Sequence, residues 1–405
     1  MSDENSPSTE PPGGVITPSG PPSGSSASRD ATAPGGERAK PIQYNYSPPF
    51  AELLEGIGGT LLISTYQAGK LMVVRAEGGK LNTLLRHFEK PMGMAVSPQR
   101  MALGGRRDIW SFRNALDIAP QIQPEQHHDA CLVPRSSHVT GDIKTHELGF
   151  VGDELWFVNT RFSCLCTLDE SYSFVPRWRP PFVTELAADD RCHLNGLAIE
   201  GDQVRFVTAH GDANTEQGWR ENRAHGGVMV DVASGQIISR ELSMPHSPRV
   251  HGGHTWVLNS GYGQLEMVNI ESGKRDVVAR LPGFTRGLAF WDRFAFVGLS
   301  KIREKREFGG LPLEEWLDDK RCGVFAIDVS SGQLVGFMEF TQGCSEIFDV
   351  QFLPGFKRPT VLGLSKPTVD GVFIVPPDAM SDAAPELLVQ SESDEDDKGD
   401  ESADA

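Results

Sequence analysis

The feature that most constrains the fold of this chain is an internal repeat between Lys90 and Asp349. Each copy is a short polar segment, then a strand of the Gly-Leu-Ala type, then a turn and a second strand. The copies begin 38 to 62 residues apart, at Lys90, His146, His193, His246, Phe284 and Glu346. Repeats of this length with four short strands each are typical of propeller blades. The sequence therefore predicts an all-β, six-bladed β-propeller.

Turn residues recur in a second pattern. An Asp or Asn followed by Ser-Gly ends a short apolar strand in the segments Asp231–Gln236, Asn269–Lys274 and Asp328–Gln333. The Asp or Asn closes a tight turn and the glycine accepts a positive φ, which indicates hairpins between the outer strands of blades. We also expect strands near Thr60 to Val74 to join Val361 to Val375 and close the ring.

Composition changes at both ends of the chain. Half of residues 1–43 are Pro, Gly or Ser, which predicts a disordered leader, and ten acidic residues against one lysine predict a disordered acidic tail over residues 379–405. The propeller domain is expected to span residues 44–378. No apolar run reaches the roughly 18 residues of a membrane span, and no signal peptide is recognisable, so we expect a cytoplasmic protein with no membrane partner.

Charge and cysteine usage narrow the classes of partner. The net charge is −17, and the body of the chain is mildly acidic, which argues against a nucleic-acid phosphate track. The six cysteines are expected to be reduced thiols. Cys164 and Cys166 would point to the same face of a strand, either as two small buried residues or as ligands of a soft metal.

Three histidines recur at one repeat position. They are His146, His193 and His246, and Glu346 stands at that position in the last copy. Because the segment before each innermost strand lies at one rim of the channel, these side chains are expected to converge there. Three imidazoles that leave one position open are typical of a catalytic metal site, so we predict a divalent transition metal, Fe, Cu or Zn. The alternatives are a polar ligand pocket and histidines that only pack at the rim.

Long loops and polar residues are expected around the same rim. The loops are Ala209 to Gly227 and Ser300 to Cys322, which are several times longer than a hairpin turn. Asn195, Arg249 and Arg286 are the candidate catalytic residues. The two arginines either form internal ion pairs or hold the carboxylate of a small-molecule or peptide substrate at the channel mouth.

A further loop, His127 to His138, is rich in potential ligands but matches no zinc-binding spacing. Its His128 or His138 could act as an acid-base group with Asp129 as the orienting partner. The sequence contains no phosphate-binding loop, dinucleotide fingerprint, zinc-protease helix or nucleophile elbow. Nucleotide chemistry and α/β-hydrolase chemistry are therefore disfavoured.

Several strings resemble a bacterial family of conserved hypothetical proteins, some of them fused to tetratricopeptide repeats. The strings lie between Pro48 and Gly355 and include Phe157 to Cys166, Pro176 to Phe182, Gly218 to Asn222, Met244 to Arg249 and Gly283 to Phe290. The resemblance implies no activity, substrate or cofactor.

Two hypotheses follow from the residues. The first is a metal-dependent enzyme that carries out an oxidative or hydrolytic step at the His146, His193 and His246 centre. The second is a non-catalytic propeller that binds a protein or carbohydrate partner through the face that the long loops cover. Trp219, Trp316 and Phe308 on those loops favour the second hypothesis, because exposed aromatic residues are common at binding surfaces.

Overall fold

The computed structural model describes residues 14–16, 41–301, 310–364 and 367–376. The predicted disorder of residues 1–43 and 379–405 therefore concerns segments that lie almost entirely outside the described residues. One small unit contains β1 (Gly14–Ile16), which pairs antiparallel with β28 (Phe373–Val375). The propeller forms the other unit, which extends to Val369.

Six sheets of four or five strands form the blades. Blade I consists of β26 (Asp349–Pro354), β3 (Gly59–Thr65), β4 (Lys70–Glu77) and β5 (Lys80–His87). Blade II consists of β6 (Met94–Val96), β7 (Arg100–Gly104), β8 (Asp108–Asn114) and β9 (Ala130–Val139), with β27 (Pro359–Val361) at its outer edge. Blade III consists of β10 (Thr145–Val151), β11 (Glu154–Asn159), β12 (Cys164–Asp169) and β13 (Tyr172–Trp178).

The remaining blades follow in chain order. Blade IV consists of β14 (Leu194–Glu200), β15 (Gln203–Ala209), β16 (Gly227–Asp231) and β17 (Ile237–Leu242). Blade V consists of β18 (His246–His251), β19 (His254–Asn259), β20 (Gln264–Val268) and β21 (Arg275–Arg280). Blade VI consists of β22 (Phe284–Trp291), β23 (Phe294–Ser300), β24 (Gly323–Asp328) and β25 (Gln333–Gln342), with β2 (Gln43–Tyr46) outermost.

The repeat analysis is confirmed. Each of the six copies leads into the innermost strand of one blade, and the three Ser-Gly segments join the third and fourth strands of blades IV, V and VI. Gly235, Gly273 and Gly332 each have φ of +70°. The carboxylate or amide oxygen that opens each turn accepts a backbone N–H, as Asp231 Oδ1 does from Ser234 at 2.7 Å.

The predicted closure of the ring is wrong in its C-terminal partner. Blade I takes its innermost strand from β26, and Asp349 pairs with Ser64. The segment around Val361 instead forms β27, which runs parallel to β9. The reason is that the last repeat copy already supplies an innermost strand, so the N-terminal strands β3 to β5 complete that blade.

Apolar side chains fill the space between neighbouring blades. One buried cluster lies at each of the six blade junctions, as where Phe206 and Met229 of blade IV meet Val257 of blade V. Cys164 and Cys166 lie in the cluster between blades II and III, with their Sγ atoms 3.4 Å apart. Burial excludes water from these residues and provides most of the stabilisation of the ring.

The only α-helix in the described part of the chain is α1 (Pro48–Ile57), which the sequence analysis did not predict. Pro48 lies at its start and Gly58 ends it with φ of +69°. Phe50 and Leu54 are fully buried at the junction of blades VI and I. Short 3₁₀ turns cover Tyr66–Ala68, Ala119–Gln121, Gly218–Asn222, Ser260–Tyr262, Pro312–Glu315 and Pro367–Gly371. Among the described residues, no helix has the length and apolar character to cross a membrane.

Candidate functional site: a cavity at the channel mouth

A cavity of about 580 Å³ opens where the innermost strands begin. Both long loops border it, through Trp219 and Arg220 on the first and Ser300 and Lys301 on the second. The lining contains more basic side chains than acidic ones. The acidic side chains are Asp142 and Glu346, and the basic ones are Lys90, Arg106, Lys144, Arg220, Arg286 and Lys301. The cavity is therefore positively charged in a chain whose net charge is −17.

The two long loops pack together beside this cavity. Trp219 of the first loop shares a buried cluster with Leu311 and Leu313 of the second, and with Met244 and Phe284 of the blades. The described parts of the two loops thus meet at the rim where the sequence predicts both loops. Trp316 is 43% exposed, whereas Phe308 lies outside the described residues.

His146 and His246 reach the cavity from blades III and V and are held in the same way. Nδ1 of His146 lies 3.0 Å from the carbonyl oxygen of Lys144, and Nδ1 of His246 lies 3.0 Å from that of Met244. A carbonyl oxygen only accepts hydrogen bonds, so each Nδ1 carries the proton. Nε2 of both rings is therefore an unprotonated nitrogen, as a metal ligand or hydrogen-bond acceptor must be.

His193 also lines the cavity, but from a different position of its blade. In blade III, Thr145 pairs with Asn159 at the end of β11, and His146 is the residue after Thr145. In blade IV, Leu194 pairs with Ala209 at the end of β15, and His193 is the residue before Leu194. Its true counterparts are Lys90, Lys144 and Met244, which share its left-handed φ of +46° to +54°. The shared repeat position thus holds for His146 and His246 and is wrong for His193.

His210 is a fourth imidazole at the site, and the sequence analysis assigned no role to it beyond the loop Ala209 to Gly227 that contains it. It follows β15 as Thr160 follows β11 and Ser260 follows β19, and those two hydroxyls contact the Nδ1 atoms of His146 and His246. The sequence contains a signal for this position. Ala209-His210 stands at the end of its strand where the neighbouring blades have Asn159-Thr160 and Asn259-Ser260. Both ring nitrogens of His210 are buried and have no partner among the described residues.

The four rings form a chain of contacts. Ring centroids are 5.1 Å apart for His146 and His193, 4.4 Å for His193 and His210, and 5.0 Å for His210 and His246. Burial lowers the pKa of His146, His210 and His246 well below the ordinary value, and the positive charge of Arg286 lowers these pKa values further. These three rings are therefore neutral at neutral pH.

Arg286 takes the position of His146 in blade VI. It follows Thr285, which pairs with Leu299 near the end of β23. Its guanidinium carbon lies 3.4 Å from the centroid of the Phe348 ring, and its Nη1 lies 3.7 Å from Glu346 Oε1. Burial lowers the pKa of Arg286, and Glu346 opposes that effect. Glu346 is thus at the cavity, where it pairs with an arginine.

The other two candidate catalytic residues lie outside the cavity lining. Asn195 is buried, accepts a hydrogen bond from the Thr208 hydroxyl at 2.7 Å and donates to the carbonyl of His193 at 3.2 Å. Arg249 lies in the channel between two carboxylates, with Nη1 3.1 Å from Glu147 Oε2 and Nη2 3.8 Å from Asp349 Oδ1. This is the internal ion pair that the sequence allowed.

The histidines of the remaining loop are occupied elsewhere. His128 Nδ1 contacts the carbonyl of Arg358 at 3.1 Å, and His138 Nε2 contacts that of Ser173 at 3.2 Å. Asp129 accepts the backbone N–H of Lys357 at 2.7 Å. Neither histidine lines the cavity, and Asp129 orients neither of them, so the predicted acid-base pair in this loop is wrong.

The described residues contain no group of three or more His, Cys, Asp or Glu side chains arranged to hold a metal ion. His146, His193, His246 and Glu346 do border one cavity, but the imidazoles contact one another as rings and Glu346 contacts Arg286. A metal would require these side chains to rearrange.

Comparison with known proteins places the chain in a family. Residues 48–362 match the family described as "Domain of unknown function (DUF4915)". The chain belongs to the DUF4915 family. The match confirms the resemblance to a family of unknown function. Its range includes the whole stretch from Pro48 to Gly355 in which the resembling strings occur. No curated protein matches this DUF4915 chain.

Two solved structures align with the chain at low identity. The "Crystal structure of Nidogen/Laminin Complex" aligns with a TM-score of 0.44 and 9% identity, over 74% of the DUF4915 chain and 99% of the other chain. A protein of unknown function from Bacteroides caccae aligns with a TM-score of 0.47 and 9% identity, over 73% and 99% of the two chains.

Proposed function

We propose that this DUF4915 protein binds a small anionic molecule in the channel-mouth cavity, with Arg286 as the anchoring cation. The observation that carries the proposal is that Nη2 of Arg286 is buried at the cavity wall without a hydrogen-bond partner among the described residues. A buried donor left unpaired costs about 1 to 3 kcal/mol, more when charged. A ligand oxygen at that point would remove the cost.

Neighbouring groups support an anion. Trp219 Nε1 and both nitrogens of His210 are buried beside the cavity and have no partner within the described ranges. Phe348 supports one face of the Arg286 guanidinium, which leaves the edge of that plane for a carboxylate. The cavity volume of about 580 Å³ suits a small organic ligand.

The test is calorimetric titration with succinate and with its neutral analogue succinamide. We expect succinate to bind and succinamide not to bind. Arg286→Gln should weaken succinate binding roughly 10- to 100-fold, because it removes a charged hydrogen bond. Arg100→Gln is the matched control, since Arg100 also stacks on an aromatic ring, that of Phe150, but lies outside the cavity lining. Equal affinity of wild type and Arg286→Gln would refute the proposal.

The histidine metal centre is a second candidate function. The observation that favours it is the unprotonated Nε2 on His146 and His246, both held through Nδ1. Fe, Cu or Zn bound there would supply the oxidative or hydrolytic chemistry of a metal-dependent enzyme. Elemental analysis of purified wild type beside His146→Ala and His246→Ala tests it. A stoichiometric metal lost in both variants supports the centre, and metal-free wild type after reconstitution counts against it.

A cytoplasmic location is part of the proposal. Its support is that all six cysteines are buried free thiols, as expected in a reducing compartment. Fusion of relatives to tetratricopeptide repeats and a bacterial origin are implied by the resemblance alone. Binding of a protein or carbohydrate partner has one supporting observation, the exposure of Trp316 on the second loop.

A further inference from the structure

Asp190 and His193 form a carboxylate–histidine pair at the wall of the cavity. His193 Nδ1 lies 3.0 and 3.1 Å from the two carboxylate oxygens of Asp190. Lys144 Nζ donates to the same carboxylate at 3.2 Å. Asp190 is buried, and although burial raises its pKa, His193 and Lys144 together hold that pKa below the ordinary value. Asp190 is therefore ionised at neutral pH.

This partner sets His193 apart from the other imidazoles. An ionised carboxylate accepts a hydrogen bond, so it fixes the proton on Nδ1 and leaves Nε2 of His193 unprotonated. It also stabilises the imidazolium that forms when Nε2 takes up a proton. His146 and His246 have a neutral carbonyl at Nδ1, which provides no such stabilisation. Among the four rings of the cavity, His193 is thus the one whose hydrogen-bond geometry suits a general base.

The backbone and neighbours of His193 hold the ring in one place. Its φ of +51° is a left-handed conformation that non-glycine residues rarely adopt. The ring stacks on His210 at 4.4 Å and contacts the Trp219 ring at 4.5 Å between centroids. The left-handed conformation recurs at this position in other blades, and the ring contacts then fix the imidazole of His193 at the cavity wall.

The cavity lacks an uncommitted side-chain nucleophile among its described hydroxyl and thiol groups. Ser300 Oγ donates to the carbonyl of Ile347 at 3.1 Å and accepts its backbone N–H at 2.9 Å. The Tyr66 hydroxyl accepts from Lys90 Nζ at 3.4 Å, and no cysteine lines the cavity. No hydroxyl or thiol among the described residues is hydrogen-bonded to the ring of His193, whose partner is Asp190, which leaves water as the proton source.

We infer that His193, oriented by Asp190, is the general base that activates a water for hydrolysis of an ester of the anionic ligand. This inference rests on the proposed function, because the carboxylate bound by Arg286 places the ester in the cavity.

The reaction consumes one water. Its oxygen bonds to the ester carbonyl carbon as Nε2 takes its proton, and the unpaired Trp219 Nε1–H next to the His193 ring can donate to the carbonyl oxygen as it becomes negative. The bond from carbon to the leaving oxygen then breaks, and His193 returns the proton to that oxygen. The products are a carboxylic acid and an alcohol, and His193 is unchanged.

The test uses mono-4-nitrophenyl succinate, which carries one carboxylate for Arg286 and one activated ester. His193→Gln should lower kcat roughly 10²- to 10⁴-fold, the usual contribution of a general base. Asp190→Asn should lower kcat and shift the acid limb of the pH profile, since it removes the charge that stabilises the imidazolium. His251→Gln is the control, because His251 lies outside the cavity lining and stacks on Phe290.

The outcomes separate this inference from the proposed function. Wild type that binds succinate through Arg286 but hydrolyses the ester no faster than His193→Gln would overturn the base assignment alone. Wild type that does not bind succinate would overturn both. Nitrogen NMR of the wild type gives a check that needs no variant to fold: His193 should be protonated on Nδ1, and protonation on Nε2 would contradict the inference.

Discussion

At the scale of single residues, the hydrogen-bond partner of each imidazole decides its chemistry. Four histidines border one cavity, yet only His193 has a carboxylate at Nδ1. His146 and His246 have carbonyl partners, and His210 has none in the described part of the chain. The same side chain is therefore a neutral acceptor at three positions and a candidate base at the fourth, because only a negative partner stabilises imidazolium.

The neutral rings predict how stability depends on pH. The folded pKa values of His146, His210 and His246 are lowered, so the unfolded chain binds more protons below the ordinary histidine pKa near 6.5. Stability from these groups is present above that pH and is lost as the pH falls below it, by up to about 1.4 kcal/mol per pH unit for each proton. We expect the free energy of unfolding, from denaturant titrations, to fall between pH 7 and pH 5.

Replacing one ring should reduce that slope. His246→Asn keeps a donor near the Met244 carbonyl but cannot titrate. The slope of the unfolding free energy against pH should therefore decrease by up to the contribution of one proton. His251→Asn serves as a control for removing a histidine outside the cavity lining. A slope that falls equally in both variants would contradict the assignment to the buried rings.

At the scale of elements, an irregularity repeated in the innermost strands builds the rim. The pairing register shifts by one residue near the start of β10, β14, β18 and β22. Such bulges bend a strand and redirect a side chain. They let His146, His246 and Arg286 border the cavity from the start of their strands.

The hairpin glycines of blade V give a matched pair of substitutions. Gly273 and Gly253 have φ of +70° and +74°. A Cβ on Gly273 would lie 2.3 Å from the carbonyl oxygen of Ile238, whereas a Cβ on Gly253 would meet nothing within 4 Å. Both alanine variants should lose about 1 to 2 kcal/mol through the left-handed conformation.

Only Gly273→Ala adds a clash with the neighbouring backbone, so we expect it to lose about 1 to 3 kcal/mol more than Gly253→Ala. Denaturant titration of the two variants measures the difference. Equal losses would show that the blade IV backbone near Ile238 yields to the added methyl group.

At the scale of the whole propeller unit, one strand from late in the sequence closes the ring. β26 pairs with β3 in its own blade and contacts the innermost strands of the two neighbouring blades, VI and II. Val350 of β26 and Ile63 of β3 are both fully buried. Removing β26 would expose the edge of β3 and the apolar junction with blade VI.

A truncated chain that ends at residue 348 should therefore lose its cooperative unfolding transition, whereas one that ends at residue 378, the predicted end of the domain, should keep it. Near-ultraviolet circular dichroism during denaturant titration distinguishes the two. A cooperative transition in the shorter chain would show that five complete blades and an open sixth are stable alone.

The sequence by itself determined the blade count and the local turns, because each depends on residues close together in the chain. The Asp or Asn and the Ser-Gly of a hairpin act within six residues, and the polar segment before an innermost strand recurs with that strand. The same recurrence placed His146, His246 and the two long loops at one rim. His193 was assigned to the repeat position of His146, but it corresponds to Lys144, two residues earlier. It reaches the cavity because of its left-handed backbone.

Only the tertiary structure decided what those residues contact. Val350 and its strand partner Ile63 lie 287 residues apart, and no local pattern marks which late segment pairs with β3. Asp190, Lys144 and His193 come from two blades, and Arg286 joins the rim from a third through a strand bulge. Ion pairs, ring contacts and unpaired donors arise from side-chain directions after the ring closes. The chemistry of the cavity follows from those directions, which the repeat alone does not specify.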